Sequence, residues 1–148
     1  MEISLNYRAP FSASRFNSLV QQGFYNGVPF FRVLFGDSYQ SQYALFGTNL
    51  LKITKIIGIS PDPIENSNWF LNPLYPEVTT ALSNEAGFIG FWSSNGTSCC
   101  KTTQVLVNFR ANKQLNSQSV VPFGQVVSGN LLPFHLLIFR VGKFSRIV

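Results

Sequence analysis

Arg32 and Gln104 are the side chains of this sequence best suited to act on a bound molecule. Each is a single long polar residue at an alternating apolar run: Phe30, Phe31, Val33 and Leu34 surround the first, and Val105, Leu106 and Val107 follow the second. Successive strand residues point to opposite faces, so such a run offers a hydrogen-bonding head from an otherwise apolar surface. A guanidinium presents its donors in a rigid fork and stays charged at any physiological pH. That suits gripping or polarising an amide, and it does not suit proton transfer. Other chemistries find no footing. Asp37 and Glu85 lack a neighbouring carboxylate for paired acid–base work. His135 is the one imidazole and lies in an apolar run, where a structural role outranks a catalytic one. Cys99 and Cys100 are the only cysteines, and adjacent thiols neither close a framework loop nor offer metal-ligand spacing. No metal or cofactor is expected.

The elements that must position these residues can be read from periodicity. Ile3, Leu5 and Tyr7 alternate until Ala9-Pro10 ends a first strand. A helix follows, with Ser12 or Ser14 as its expected cap, Phe16, Leu19 and Val20 as its buried stripe, and Gly23 as its terminator. Asn26-Gly27 marks a turn, and residues 30–34 return as a strand. Further strands are predicted over residues 88–92, 104–109 and 120–127, separated by Gly, Asn and Ser clusters. Strands outnumber helices, which points to a mainly antiparallel barrel or curled sheet with a helix over one open end. Residues 60–76 hold four of the eight prolines and read as a long surface excursion.

With 148 residues the chain fits one domain and one core. Charged residues make up 11% and aromatics 15%, a composition far from the disordered class. The net charge of +5 comes from few acids, and the bases are scattered, so a nucleic-acid partner is not expected. The apolar run 131–139 is too short to span a bilayer, and no membrane partner is expected. The first residues alternate like a strand and lack the pattern of a secretory signal, which favours the cytoplasm as compartment. Asn95-Gly-Thr97 is read as a turn and not as a glycosylation site.

Several blocks, taken in order, resemble the cyclophilin family of peptidyl-prolyl isomerases, particularly its bacterial-type branch. They are Ala9-Pro10 with Arg15-Phe16 and Leu19-Val20, then Gly23-Phe-Tyr-Asn-Gly-Val28 and Phe30-Phe-Arg-Val-Leu34. Ile59-Ser-Pro-Asp-Pro63 follows, with Trp69 and Asn72-Pro73. Ser83-Asn84, Gly87, Thr102-Thr-Gln104, Asn108, Asn112, Leu115 and Pro122-Phe-Gly124 complete the set. The resemblance implies a mainly β fold, a cyclophilin-like antiparallel barrel with a capping helix. Against the family pattern this chain is expected to miss the first strand and to have an atypical C-terminus. Residues 1–127 are then the cyclophilin-like domain, with an insertion at about 35–57, and 128–148 an unmatched C-terminal segment.

The resemblance also implies an activity, peptidyl-prolyl cis-trans isomerisation in protein folding, with Arg32 as the catalytic donor. Gln104 and Phe30 would contact the substrate, and Leu106 and Leu115 would bury the proline ring. The family keeps Phe, Met and Gln on the strand after the arginine, but the insertion blurs its register. Counted forward from Arg32 the glutamine falls on Gln40, and counted back from Gly58 it is replaced by Ile56. The expected partners are proline-containing peptides or unfolded protein segments, bound by a monomer. A competing reading is a non-catalytic module that grips proline-containing peptides without accelerating rotation.

Overall fold

The computed structural model describes residues 2–6, 8–26, 28, 30, 32–36, 41–47, 50–54, 58–61, 71–77, 82–92, 101–128 and 146–147. Strands dominate, in the order β1 (Glu2–Leu5), β2 (Arg32–Phe35), β3 (Ser41–Phe46), β4 (Leu50–Thr54), β5 (Gly58–Pro61), β6 (Phe88–Phe91), β7 (Val105–Asn108), β8 (Pro122–Ser128) and β9 (Arg146–Ile147). Among the described residues two helices join them, α1 (Pro10–Gln21) between β1 and β2, and the short α2 (Gln114–Ser117) between β7 and β8.

Seven strands form one sheet in the order β2-β3-β7-β6-β8-β1-β9, while β4 and β5 make a separate antiparallel pair. Every contact within the larger sheet is antiparallel except β1 with β9. Among the described residues β2 and β9 stand at opposite ends of this order, so the sheet does not close. The C-terminal segment, which matched no part of the family pattern, contributes β9 as an added strand, with Glu2 beside Arg146 and Ile3 beside Ile147.

The strand Ser41–Phe46 was not foreseen in the sequence. It lies within the stretch read as an insertion, and it pairs antiparallel with β2 on one side and β7 on the other. The predicted strands at 30–34, 88–92, 104–109 and 120–127 are present with shifts of up to two residues at their ends. Of the predicted excursion, Ser60 and Pro61 belong to β5, and residues 71–77 carry no regular structure.

Helix α1 begins at Pro10, whose fixed φ suits the first helical position. Its cap differs from the expectation. Ala9 occupies the N-cap without a side-chain bond, and Ser12 lies inside the helix. The exposed amide ends are satisfied from a distance: the Glu77 carboxylate accepts from the backbone N–H of Phe11 at 2.6 Å and of Ser12 at 3.2 Å, and from the Ser12 hydroxyl. A carboxylate there also meets the positive end of the helix dipole.

The inner face of α1 packs Ala13, Phe16 and Leu19 against one face of the sheet. An aromatic chain fills that space. Phe16 lies 5.4 Å from Tyr25 and 5.1 Å from Phe123, Phe123 lies 4.8 Å from Phe91, and Tyr25 lies 5.3 Å from Phe46. Such offset and edge contacts add to the hydrophobic gain of burial. The buried Tyr25 hydroxyl donates to the Thr103 carbonyl at 2.9 Å, so the one polar atom in this aromatic cluster has its partner.

Candidate active site

The outer face of the sheet carries a second, smaller apolar cluster. In register, Arg32 pairs with Leu45, Leu45 with Leu106, and Leu106 with Gly90. Leu34 pairs with Tyr43 on the same face. Side-chain alternation therefore sets Arg32, Leu34, Tyr43, Leu45, Gln104 and Leu106 on one surface. Tyr43, Leu45 and Leu106 are buried there with Leu115 and Val120, and half-buried Leu34 and Trp92 pack against them. This group is separate from the core beneath α1. It forms an apolar cluster, the candidate notch, with an exposed arginine at its edge.

Tyr43 and Trp92 form the aromatic part of the notch, with ring centroids 5.8 Å apart. Burial pushes the Tyr43 phenol upward, and the positive charge of Arg32 opposes that shift. The charge thus acts on the notch itself. Long side chains on diagonal cross-strand positions reach one another, which fits the placement of these two residues.

Two glycines set the shape of this face. Gly47 follows β3 with φ 102°, and a Cβ there would lie 2.2 Å from the Thr103 carbonyl oxygen and 3.1 Å from Gln104 Cα. Only glycine lets the end of β3 lie against the segment that carries Gln104. A Cβ on Gly90 would lie 2.8 Å from Val120 Cγ1, so the bare backbone of β6 makes room for the notch wall.

Leu115 and Val120 reach the notch from α2 and the loop after it, and a buried amide network holds both. Asn112 donates to the Asn108 side chain at 2.8 Å and to the Gln42 carbonyl at 3.0 Å. Asn108 donates to the Asn84 side chain at 3.1 Å, and Asn84 donates to Asn116 and to the Val120 carbonyl, each at 2.8 Å. The network joins β3, β7, α2 and the segment before β6. Satisfied polar chains of this kind fix one arrangement, because breaking a link leaves a buried group unpaired.

Arg32, Gln104, Leu106 and Leu115 were expected in one site, and their elements do meet on this face. Gln104 is half-buried, and its carbonyl accepts the Trp92 N–H at 2.8 Å. Phe30 goes elsewhere. Its ring lies 5.2 Å from Phe46 and packs on the core cluster, because Phe46 points to the inner face while Leu45 points outward. Gln40 and Ile56, the two alternatives for the family's glutamine, lie outside the described residues, as do Phe31, Cys99, Cys100 and His135. Across from Arg32 the register places Leu45, with Tyr43 diagonal to it. Val120, named only as standing in for a rim residue, is a buried part of the notch. Among the described residues no cluster of His, Cys, Asp and Glu could hold a metal ion.

A wider cleft of about 770 Å³ opens between α1 and residues 71–76, with Phe11, Arg15, Leu71 and Tyr75 in its walls. Arg15 there donates to the Asn72 carbonyl at 2.9 Å. None of the notch residues lines this cleft.

Comparison with known proteins agrees with the fold. The sequence profile described as "Cyclophilin type peptidyl-prolyl cis-trans isomerase/CLD" matches residues 1–132. The chain therefore belongs to the cyclophilin-type peptidyl-prolyl cis-trans isomerase family. It is 29% identical over 134 residues to a peptidyl-prolyl cis-trans isomerase of Acinetobacter baylyi, an alignment covering 87% of this chain and 62% of that protein. The chain thus spans less than two-thirds of that relative's length. The fold is similar to a Cryptosporidium parvum cyclophilin-type peptidyl-prolyl cis-trans isomerase crystallised in the presence of the dipeptide Ala-Pro, with a TM-score of 0.62 and 17% identity, over 86% of this chain and 72% of that one. A second crystal structure of that parasite protein gives a TM-score of 0.57 at 17% identity, over 82% and 67% of the two chains.

Proposed function

We propose that this chain catalyses cis-trans rotation about X-Pro bonds in proline-containing peptides and unfolded protein segments. The observation that carries this reading is the placement of Arg32 on the same sheet face as the notch built from Leu106, Leu115 and Val120. Amide resonance gives the bond a rotational barrier of ~18–20 kcal/mol, and no nucleophile is needed to lower it. As the bond twists, the prolyl nitrogen pyramidalises and its lone pair becomes an acceptor. A guanidinium N–H donates to that nitrogen only in the twisted state, which stabilises the transition state above the ground state. The notch buries the proline ring, and Gln104 holds the flanking peptide so that one side turns against the other.

Family membership supports this reading, as does the Ala-Pro dipeptide named with the parasite structure. The working unit of this proposal is residues 1–127. A protease-coupled isomerisation assay on a short X-Pro peptide tests the proposal. If Arg32 supplies about 3 kcal/mol, Arg32→Ala lowers kcat/KM about a hundredfold. Equal rates for the two proteins would remove the catalytic assignment.

Leu45 and Tyr43 favour a second reading. They place an aliphatic side chain and a phenol next to Arg32, with no side-chain amide among them, so the notch could hold a peptide without turning it. Peptide binding with no isomerisation in the unmodified chain would establish that reading.

A further inference from the structure

Val120 closes one side of the notch, yet it belongs to a loop and not to a strand or helix. The residue before it, Ser119, has φ 59°, an unusual conformation for a side chain other than glycine. Such a backbone persists only where its surroundings hold it. The hold on one side is the amide network, through Asn84 to the Val120 carbonyl. Two N–H groups, of Gln118 and Val120, also converge on the Leu115 carbonyl at 3.1 and 3.2 Å.

On the other side stands Lys101, only 7% exposed, whose ammonium donates to the Ser119 carbonyl. Its backbone is anchored separately, because the Lys101 carbonyl accepts the Leu74 N–H at 2.8 Å. Burial disfavours the charged form of this amine, and the Glu77 carboxylate opposes that effect. Glu77 is the same group that caps α1. A charge is thus held in a buried position where a neutral side chain would cost less, and its donor points at the strained carbonyl next to the notch wall.

We propose that Lys101 is a positioning residue for the notch: by holding the Ser119 carbonyl it keeps Val120 against the site of the proline ring. This rests on the reading of the notch as the proline site. Lys101 touches no reacting atom. Its loss loosens the ring's pocket and leaves the Arg32 donor in place, so the defect falls on binding and not on the turnover of bound substrate.

The test combines kinetics with methyl NMR of valine-labelled protein for Lys101→Met, Lys101→Arg and the unmodified chain. Lys101→Met is expected to raise KM for a short X-Pro peptide about tenfold with kcat within about twofold, the split that separates lost ground-state binding from lost chemistry. The Val120 methyl signals shift in Lys101→Met, and Lys101→Arg, which keeps a charged donor, returns both KM and the signals toward the unmodified values. Unmodified KM and Val120 signals in Lys101→Met would overturn the proposal, as would equal impairment of the Met and Arg variants. If the unmodified chain shows no isomerisation, the functional reading fails alone, and the Val120 signals with the affinity for Ala-Pro still decide the role of Lys101. Should Lys101→Met not fold, Lys101→Gln decides: displaced Val120 signals and weakened binding support the proposal, and unmodified values overturn it.

Discussion

Arg32 stands directly across the β2–β3 ladder from Leu45, which in turn faces Leu106 on β7. The row runs from a charged edge into an aliphatic floor, so the notch offers the substrate few hydrogen-bonding groups close to the guanidinium. An amide in the middle of this row would restore one. Leu45→Gln is expected to raise kcat/KM for an X-Pro peptide about two- to tenfold, the range for one net hydrogen bond of about 0.5–1.5 kcal/mol. An unchanged or lower value would show that position 45 does not meet the peptide.

Gly90 makes room for Val120, with only 2.8 Å between its would-be Cβ and Val120 Cγ1 and 3.2 Å to the Val121 carbonyl oxygen. The buried valine cannot yield without moving the loop. Gly90→Ala is expected to destabilise the fold by about 1–3 kcal/mol through overpacking. It also raises KM, because the displaced wall enters the notch. Urea denaturation beside steady-state kinetics reads both effects, and a variant with unmodified stability and KM would show the wall to be compliant.

Tyr25 carries the pH dependence of the core. Complete burial raises its phenol well above the ordinary tyrosine range, with the charge of Arg15 acting in the other direction. The unfolded chain releases this proton near pH 10, where the folded chain still holds it. Its contribution is therefore complete below that pH and falls as pH rises beyond it, since the unfolded state then binds fewer protons. Melting temperatures from pH 8 to 11 are expected to drop more steeply for the unmodified chain than for Tyr25→Phe. Parallel curves would refute the assignment.

Glu77 caps α1 although it lies 66 residues from Phe11 in sequence. Removing the carboxylate orphans two backbone donors and the Ser12 hydroxyl. Glu77→Ala is expected to cost about 0.5–2 kcal/mol, as for other lost caps. Denaturant titration checks it, and an unchanged midpoint would mean that water replaces the cap without loss.

That cap shows where local sequence reading stops. Ser12 and Ser14 are the residue types that cap helices, but Pro10 starts the helix early enough to put them inside it. The partner came from a distant loop, which no local pattern reveals. The site divides in the same way. Alternation was enough to put Gln104 and Leu106 on one face, because strand parity survives errors in strand ends, and it was the family resemblance that joined Arg32 to them.

The register of β3 was less legible. Gln42, Tyr43, Ala44 and Leu45 mix polar and apolar residues on both faces, so periodicity is weak. Counting from the family pattern bracketed the strand, with Gln40 before it and Ile56 beyond. The asparagine network was hidden for another reason. Asparagine is a turn former, and Asn108 in a predicted strand and Asn112 and Asn116 beyond it carry no local sign of a shared partner.

Arg32 is exposed on β2, a strand of four residues at the margin of the sheet order, while most of the aromatic core lies under α1 against strands further in. Short marginal strands open with less free energy than the whole fold. Heat should therefore silence such a protein before it melts, with activity fading reversibly while the spectroscopic signature of the core is still intact.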